Sequence, residues 1–107
     1  MRVEVLYFDG CSSHEALLPR LRRLLDEAGF ASEIHLRRVD SPERAERERF
    51  LGSPTVRIDG SDVDPVAAER TDYGLNCRLY PTGDGLRGMP PDDWVHDALA
   101  ARGKSHR

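Results

Sequence analysis

The sequence predicts a mixed α/β domain in which helices cover both faces of one four-stranded mixed sheet. Runs rich in β-branched and aromatic residues alternate with segments whose apolar residues recur at helical spacing, in the order βαβα and then ββα. The first β run, residues 2–8, is apolar on both pleat faces, which is typical of a strand buried on two sides. Because a βαβ crossover is right-handed, the first two strands should be parallel.

Length and composition predict a single domain that does not bind nucleic acid. The chain has 107 residues, and we expect a single domain over residues 1–103 with a frayed basic tail at 104–107. The formal net charge is only -3, and no basic run carries interleaved aromatic residues, so nucleic acid is not an expected partner. Every basic residue except Lys104 is an arginine, which indicates a GC-rich bacterial genome.

The hydropathy pattern predicts a cytoplasmic protein. No apolar run approaches the ~20 residues that cross a bilayer. The first residues enter a strand and lack the charged and then apolar layout of a signal peptide. We therefore expect no membrane partner, while the sequence does not indicate an oligomeric state.

A strongly amphipathic helix is predicted after the first strand. Residues 13–28 place leucines on one stripe and charged side chains on the other. Ser12 followed three residues later by Glu15 is the capping-box pattern, which sets the start of the helix near Ser12, and Gly29 ends it. Pro19 lies inside this helix, removes one backbone hydrogen bond and should kink it.

The middle of the chain predicts a strand near the sheet edge and a second helix. Residues 33–39 alternate between two faces, only one of which is clearly apolar. Ser41 is a good N-cap, and Pro42 suits the first helical position. We expect this helix to run through a charged segment to about Phe50, with Gly52 closing it.

The last half of the chain predicts two more strands and a final helix. Residues 55–58 form the third strand, a turn follows at 59–60, and residues 77–80 (CRLY) form the fourth strand. Residues 61–76 are a polar loop, with one turn of helix around 65–69. The last helix begins at Pro90-Pro91-Asp92. Its expected buried face is formed by Trp94, Val95, Ala98 and Leu99.

The candidate functional stretch is the end of the first strand, where Cys11 precedes the first helix. Unpaired N–H groups and the helix dipole favour an anion there, so the thiolate of Cys11 should be stabilised. His14 lies one helical turn further on, where an imidazolium would lower the pKa of the thiol and return a proton. The alternative for His14 is an exposed histidine without a role. The alternative for Cys11 is an inert thiol in the core.

The second cysteine, Cys77, begins the predicted fourth strand. A single strand cysteine is more often a small core residue. If the loop at 61–76 folds back over Cys11, Cys77 would be placed to resolve a mixed disulfide or sulfenate on Cys11, or to share a soft metal with it. A structural disulfide is the less common use of two cysteines in a reducing compartment. The sequence indicates no cofactor and no firm metal site.

Three features together resemble the thioredoxin family over nearly the whole chain. Cys11 and His14 stand in the place of the family's Cys-x-x-Cys motif, and Pro19 stands where the family carries its helix-kinking proline. The segment 52–55 is similar to the one that holds the family's cis proline. The resemblance implies a thioredoxin-like βαβαββα fold and a cis bond before Pro54, with the backbone of Ser53 free to pair with an extended substrate. It implies substrate binding by Ser53, Pro54 and Thr55.

The resemblance also implies thiol–disulfide exchange, although the motif differs from that of a dithiol enzyme. His14 replaces the second cysteine of the motif, Val5 replaces a buried aspartate, and Gly10 replaces a tryptophan. The expected function is therefore a monothiol-type oxidoreductase acting through Cys11, with Cys77 as a candidate catalytic partner. Its substrate would be a thiol or disulfide of a protein or of a small molecule.

Two other functions remain open from the sequence. The chain is similar to the thioredoxin-like core of organomercurial lyases, which uses a Cys-x-x-Asp motif and a distant second cysteine. In those enzymes the two thiols take mercury and the acid protonates the carbon. This likeness implies soft-metal or organomercurial handling by Cys11 and Cys77, with His14 in the place of the acid. The third hypothesis is a binding module that kept the fold and lost the chemistry.

Overall fold

The computed structural model describes residues 1–83 and 85–104, the last three of these by their backbone only. The predicted tail falls largely on residues 105–107, which lie outside the described residues, and the last helix includes Lys104. In chain order the elements are β1 (Val3–Tyr7), α1 (Ser13–Glu27), β2 (Ile34–Arg38), α2 (Pro42–Glu48), β3 (Thr55–Ile58), β4 (Ser61–Asp62), a 3₁₀ helix (Ala67–Glu69), β5 (Tyr80–Thr82), β6 (Gly85–Arg87) and α3 (Asp92–Lys104).

Four of the strands form one mixed sheet in the order β2-β1-β3-β4. The central strand β1 is parallel to β2 and antiparallel to β3, so Val5 lies between Leu36 and Val56. The predictions of a parallel first pair and of an edge position for β2 are confirmed. The strands β5 and β6 form a separate antiparallel hairpin.

Helices cover both faces of the sheet, as predicted. Alternation along β1 turns Val3 and Val5 to one face and Leu6 to the other. On the first face these valines join a core built from α1, α3 and β3, whose buried members include Leu17, Leu21, Leu24, Leu25, Val56, Val95 and Leu99. On the second face Leu6 packs with Val39, Ala45 and Phe50. In the described part of the chain, none of the helices has the length and apolar character needed to cross a bilayer.

The first helix begins where the sequence predicts, but without the predicted side-chain cap. α1 starts at Ser13, with Ser12 at the N-cap position, yet the Ser12 hydroxyl accepts no capping hydrogen bond. The helix continues through Pro19 and ends before Gly29, whose φ of 84° suits glycine. The N–H of Phe30 then donates to the carbonyl of Leu25, which closes the C-terminus and returns the chain to the core.

The second helix is shorter than predicted. The hydroxyl of Ser41 accepts a hydrogen bond from the N–H of Arg44 at 3.1 Å, as its N-cap position requires. The helix ends at Glu48 because Arg49 adopts a left-handed conformation with φ of 55°. The helix thus ends two residues before the expected end at about Phe50, and Arg49, not Gly52, closes it.

The predicted fourth strand at 77–80 is also wrong. The fourth strand of the sheet is β4, which pairs with β3 across a tight turn at Asp59 and Gly60, both with positive φ. Residues 77–80 do alternate between exposed and buried, which is why they resemble a strand. Alternation of exposed and buried residues shows which side of a segment faces the core. It does not show with which other segment the backbone pairs. Cys77 forms only an isolated bridge with Ser53, and Tyr80 belongs to the hairpin.

Candidate dithiol site

Cys11 lies in the turn that joins β1 to α1. Its N–H donates to the carbonyl of Phe8 at 3.3 Å, and the helix begins two residues later. The residue is only 4% exposed. Its Sγ lies 3.5 Å from Oγ of Ser13 and 3.6 Å from the carbonyl oxygen of Ser53, so it is enclosed by the start of the helix and by the chain that precedes β3.

The surroundings of Cys11 favour its thiolate. Burial raises the pKa of the Cys11 thiol, but hydrogen bonds from Cys77, from the side chain and backbone of Ser13 and from Ser53 outweigh it and lower the pKa below the ordinary value. The hydroxyl of Ser53 is buried and has no other hydrogen-bond partner among the described residues. It is therefore available to donate a hydrogen bond to the thiolate of Cys11.

The structure brings Cys77 beside Cys11. The N–H of Ser53 donates to the carbonyl of Asn76 at 2.8 Å, and the N–H of Arg78 donates to the carbonyl of Ser53 at 2.8 Å. This parallel bridge sets the side chain of Cys77 against that of Cys11, and their interaction raises the pKa of Cys77. Both cysteines are free thiols, and Cys77 is exposed. The interpretation of Cys77 as a core residue does not hold.

The peptide bond before Pro54 is cis, as the resemblance implied. The backbone of Ser53, however, is not free to pair with a substrate, because the chain's own segment 76–78 uses both its N–H and its carbonyl. Thr55 is also engaged. Its hydroxyl donates to the carbonyl of Gly52 at 2.7 Å and accepts from Arg78 at 3.1 Å, so Thr55 holds the loop together.

His14 is near Cys11 but is directed at its backbone. Nδ1 of His14 lies 3.2 Å from the carbonyl oxygen of Cys11 and donates to it, since a carbonyl only accepts. The ring stacks on Tyr7 with centroids 4.2 Å apart. These contacts direct Nδ1 at the backbone of Cys11 and not at its sulfur, and they hold the ring against Tyr7 of the first strand.

The segment that carries Cys77 is anchored by a buried arginine that the sequence analysis missed. The guanidinium of Arg78 donates to Asp62 at 2.7 Å and to Asp64 at 3.2 Å. It also stacks on the ring of Tyr80, 4.5 Å from the centroid. The signal was present in the sequence, because the alternation at 77–80 puts Arg78 and Tyr80 on the same inner side. A buried arginine needs carboxylate partners, and the two aspartates supply them.

Gly52 is required for the same segment to approach. Its φ is 118°, a conformation that residues with a side chain rarely adopt. A Cβ at this position would lie 2.6 Å from Nδ2 of Asn76 and 2.9 Å from its carbonyl oxygen. Glycine here lets residues 76–78 lie directly against Ser53.

Within the described residues, no group of three His, Cys, Asp or Glu side chains is arranged to hold a metal ion. Comparison of the chain with models of protein families, with curated proteins and with solved structures finds no match.

Proposed function

We propose that this protein is a thioredoxin-fold thiol–disulfide oxidoreductase in which Cys11 and Cys77 form the redox pair. The observation that carries the proposal is the bridge between Ser53 and Cys77, which places the exposed Cys77 next to Cys11, whose Sγ lies against the carbonyl oxygen of the same Ser53. The fold assignment is supported by the sheet order β2-β1-β3-β4, by helices on both faces and by the cis proline segment beside Cys11. Cys77 supplies the second thiol that the motif lacks at His14.

The reaction is a two-electron exchange. In one direction, a disulfide R–S–S–R of a small thiol or of a protein accepts two electrons from the pair. Cys11 and Cys77 lose two protons and form one S–S bond, and two molecules of R–SH leave. In the other direction, two thiols reduce the Cys11–Cys77 disulfide and are themselves joined. A pair held side by side favours the internal disulfide, because closing it needs no second encounter.

Exposure of the reduced protein to oxidised glutathione tests the proposal. After an acid quench and alkylation of the remaining thiols, mass spectrometry should show that both cysteines are joined to each other. The Cys11→Ser and Cys77→Ser variants should form no internal disulfide, and His14→Ala serves as a control that keeps both thiols. A wild-type protein whose two thiols both remain open to alkylation would refute the pairing.

A second candidate function is capture of a soft metal ion such as mercury(II) by the same two thiols. It is favoured by the adjacency of the sulfurs, which suits linear coordination by two thiolates. Capture is better supported than cleavage of a carbon–mercury bond, because Nδ1 of His14 is engaged with the backbone of Cys11. Titration with mercury(II) should show one ion per chain by the ultraviolet absorption of mercury–thiolate bonds. Equal affinity in the Cys77→Ser variant would contradict this function.

A further inference from the structure

The two cysteines of the pair differ sharply in their exposure to solvent. Cys11 is 4% exposed, and its Sγ contacts Ser13 and the carbonyl of Ser53. The chain before α3 lies close to Ser13 in turn, since a Cβ at Gly88 would lie 3.1 Å from Oγ of Ser13. Cys77 is exposed. A thiol arriving from solvent therefore meets Cys77 first.

The direction of attack reinforces this difference. A thiolate displaces one sulfur of a disulfide by approaching the other from the side opposite to the leaving sulfur. Sγ of Cys11 lies against Oγ of Ser13 and the carbonyl oxygen of Ser53, so these groups crowd a thiolate that attacks Cys11. Cys77 is exposed, so a thiolate can reach it from solvent, with Cys11 leaving.

Cys77 is also prevented from moving aside to expose Cys11. The backbone groups of Asn76 and Arg78 are both bonded to Ser53, and the side chain of Arg78 is bonded to Asp62 and Asp64. Swinging the segment outward would break all of these bonds and would leave charged groups buried without partners.

The surroundings of Cys11 suit a leaving group. As it departs, its negative charge is met by the N–H and hydroxyl of Ser13 and by the hydroxyl of Ser53, which is otherwise unpaired in the described structure. A thiolate that is stabilised in this way is the better leaving group of the two. Cys77, in contrast, is exposed, and its pKa is raised by its interaction with Cys11.

We propose that Cys77, and not the helix-terminal Cys11, forms the mixed disulfide with external thiols, and that Cys11 acts as the buried leaving and resolving thiolate. This inference rests on the proposed redox pairing. An external thiolate R–S⁻ attacks Sγ of Cys77, the S–S bond breaks, and Cys11 leaves with the electron pair. A second thiolate then attacks the external sulfur, releases R–S–S–R and leaves Cys77 as a thiolate, which takes a proton from water.

Oxidation of the pair follows the same path in reverse. Cys77 loses its proton to solvent and attacks a disulfide R–S–S–R, and one R–S⁻ leaves. The thiolate of Cys11 then attacks the sulfur of Cys77, and the second R–S⁻ leaves. The electrons and atoms balance with a low-molecular-weight or protein disulfide as the oxidant.

Mapping the first covalent adduct tests the inference. The oxidised protein is mixed briefly with reduced glutathione, quenched with acid, alkylated and digested. Glutathione should be found on Cys77, with the alkyl label on Cys11, whereas glutathione on Cys11 would overturn the assignment. Failure to obtain an oxidised pair at all would refute the redox function itself, at an earlier and separate step.

A second measurement uses reduced single-cysteine proteins and does not depend on the internal disulfide. The Cys11→Ser variant, which retains Cys77, and the Cys77→Ser variant, which retains Cys11, are each treated with a small and with a bulky disulfide reagent. The rate at Cys77 should vary little with reagent size, while the rate at Cys11 should fall at least about tenfold with the bulky one. Both variants in denaturant provide the control, where this difference should vanish. Equal dependence on size in the folded proteins would overturn the inference.

Discussion

Replacing Arg78 by methionine should destabilise the protein far more than replacing a partly exposed arginine. The side chain of Arg78 is 1% exposed and pairs with Asp62 and Asp64. Its removal leaves the carboxylate of Asp64, itself 4% exposed, with the N–H of Val66 at 2.9 Å and a distant contact of 4.0 Å to Arg70. Removing one partner of a buried ion pair costs about 3–5 kcal/mol, a large part of the ~5–15 kcal/mol that stabilises a typical domain.

Guanidinium chloride unfolding followed by tryptophan fluorescence measures this loss. Trp94 is the only tryptophan and packs edge-on against Tyr80, with ring centroids 6.0 Å apart, so its emission reports on the affected region. The matched control is Arg70→Met. Arg70 pairs mainly with the exposed Asp72 at 2.7 Å, and such surface pairs are worth less than ~1 kcal/mol. If Arg78→Met lost no more free energy than this control, with an unchanged m value, the buried network would not be the anchor that we describe.

Three further substitutions test individual contacts of the site. Ser53→Ala removes a hydroxyl that favours the thiolate of Cys11, so the pKa of Cys11 should rise, measured by alkylation rate against pH; an unmoved profile would contradict this. Gly52→Ala places a side chain against Asn76 at a positive φ. The free energy of unfolding should fall by about 1–3 kcal/mol, and the internal disulfide should form more slowly. Wild-type values in both assays would show that the segment at 76–78 can shift to accommodate the methyl group. His14→Ala should leave the alkylation profile of Cys11 in place, and a clear rise in the pKa would restore the activating role suggested by its spacing.

Much of the fold follows from local patterns in the sequence. The two-sided apolar run of β1, the leucine stripe of α1 and the N-cap at Ser41 each have a short-range signal, and each element forms where it was expected. The strand β4 has only two residues, which is too short for any periodicity. It exists because the turn at Asp59 and Gly60 reverses the chain beside β3, and a two-residue pairing of this kind is decided by the turn.

The candidate site divides in the same way. The position of Cys11 at the start of α1 could be predicted because a strand, a turn and a helix are adjacent in sequence. The position of Cys77 could not, because it depends on pairing between Ser53 and a segment 24 residues further along the chain, for which periodicity carries no information. The partners of Arg78 lie 14 and 16 residues before it, so this ion network too is a purely tertiary feature.

The buried network of Arg78, Asp62 and Asp64 fixes the register of the segment that carries Cys77. Apolar side chains could fill the same space at similar or better stability, because desolvating charges is costly. They would, however, resist sliding of this extended segment less, since its backbone is held to the neighbouring chain by the Ser53–Cys77 bridge and by the bond from the N–H of Gly74 to the carbonyl of Phe50. A slip of one residue would turn Cys77 inward and Arg78 outward, since side chains alternate along an extended chain. The ion pair disfavours that slip, because the slip would separate the guanidinium of Arg78 from the carboxylate of Asp64 and leave this buried carboxylate without its main partner. The network thus keeps Cys77 exposed, as the proposed exchange with external thiols requires.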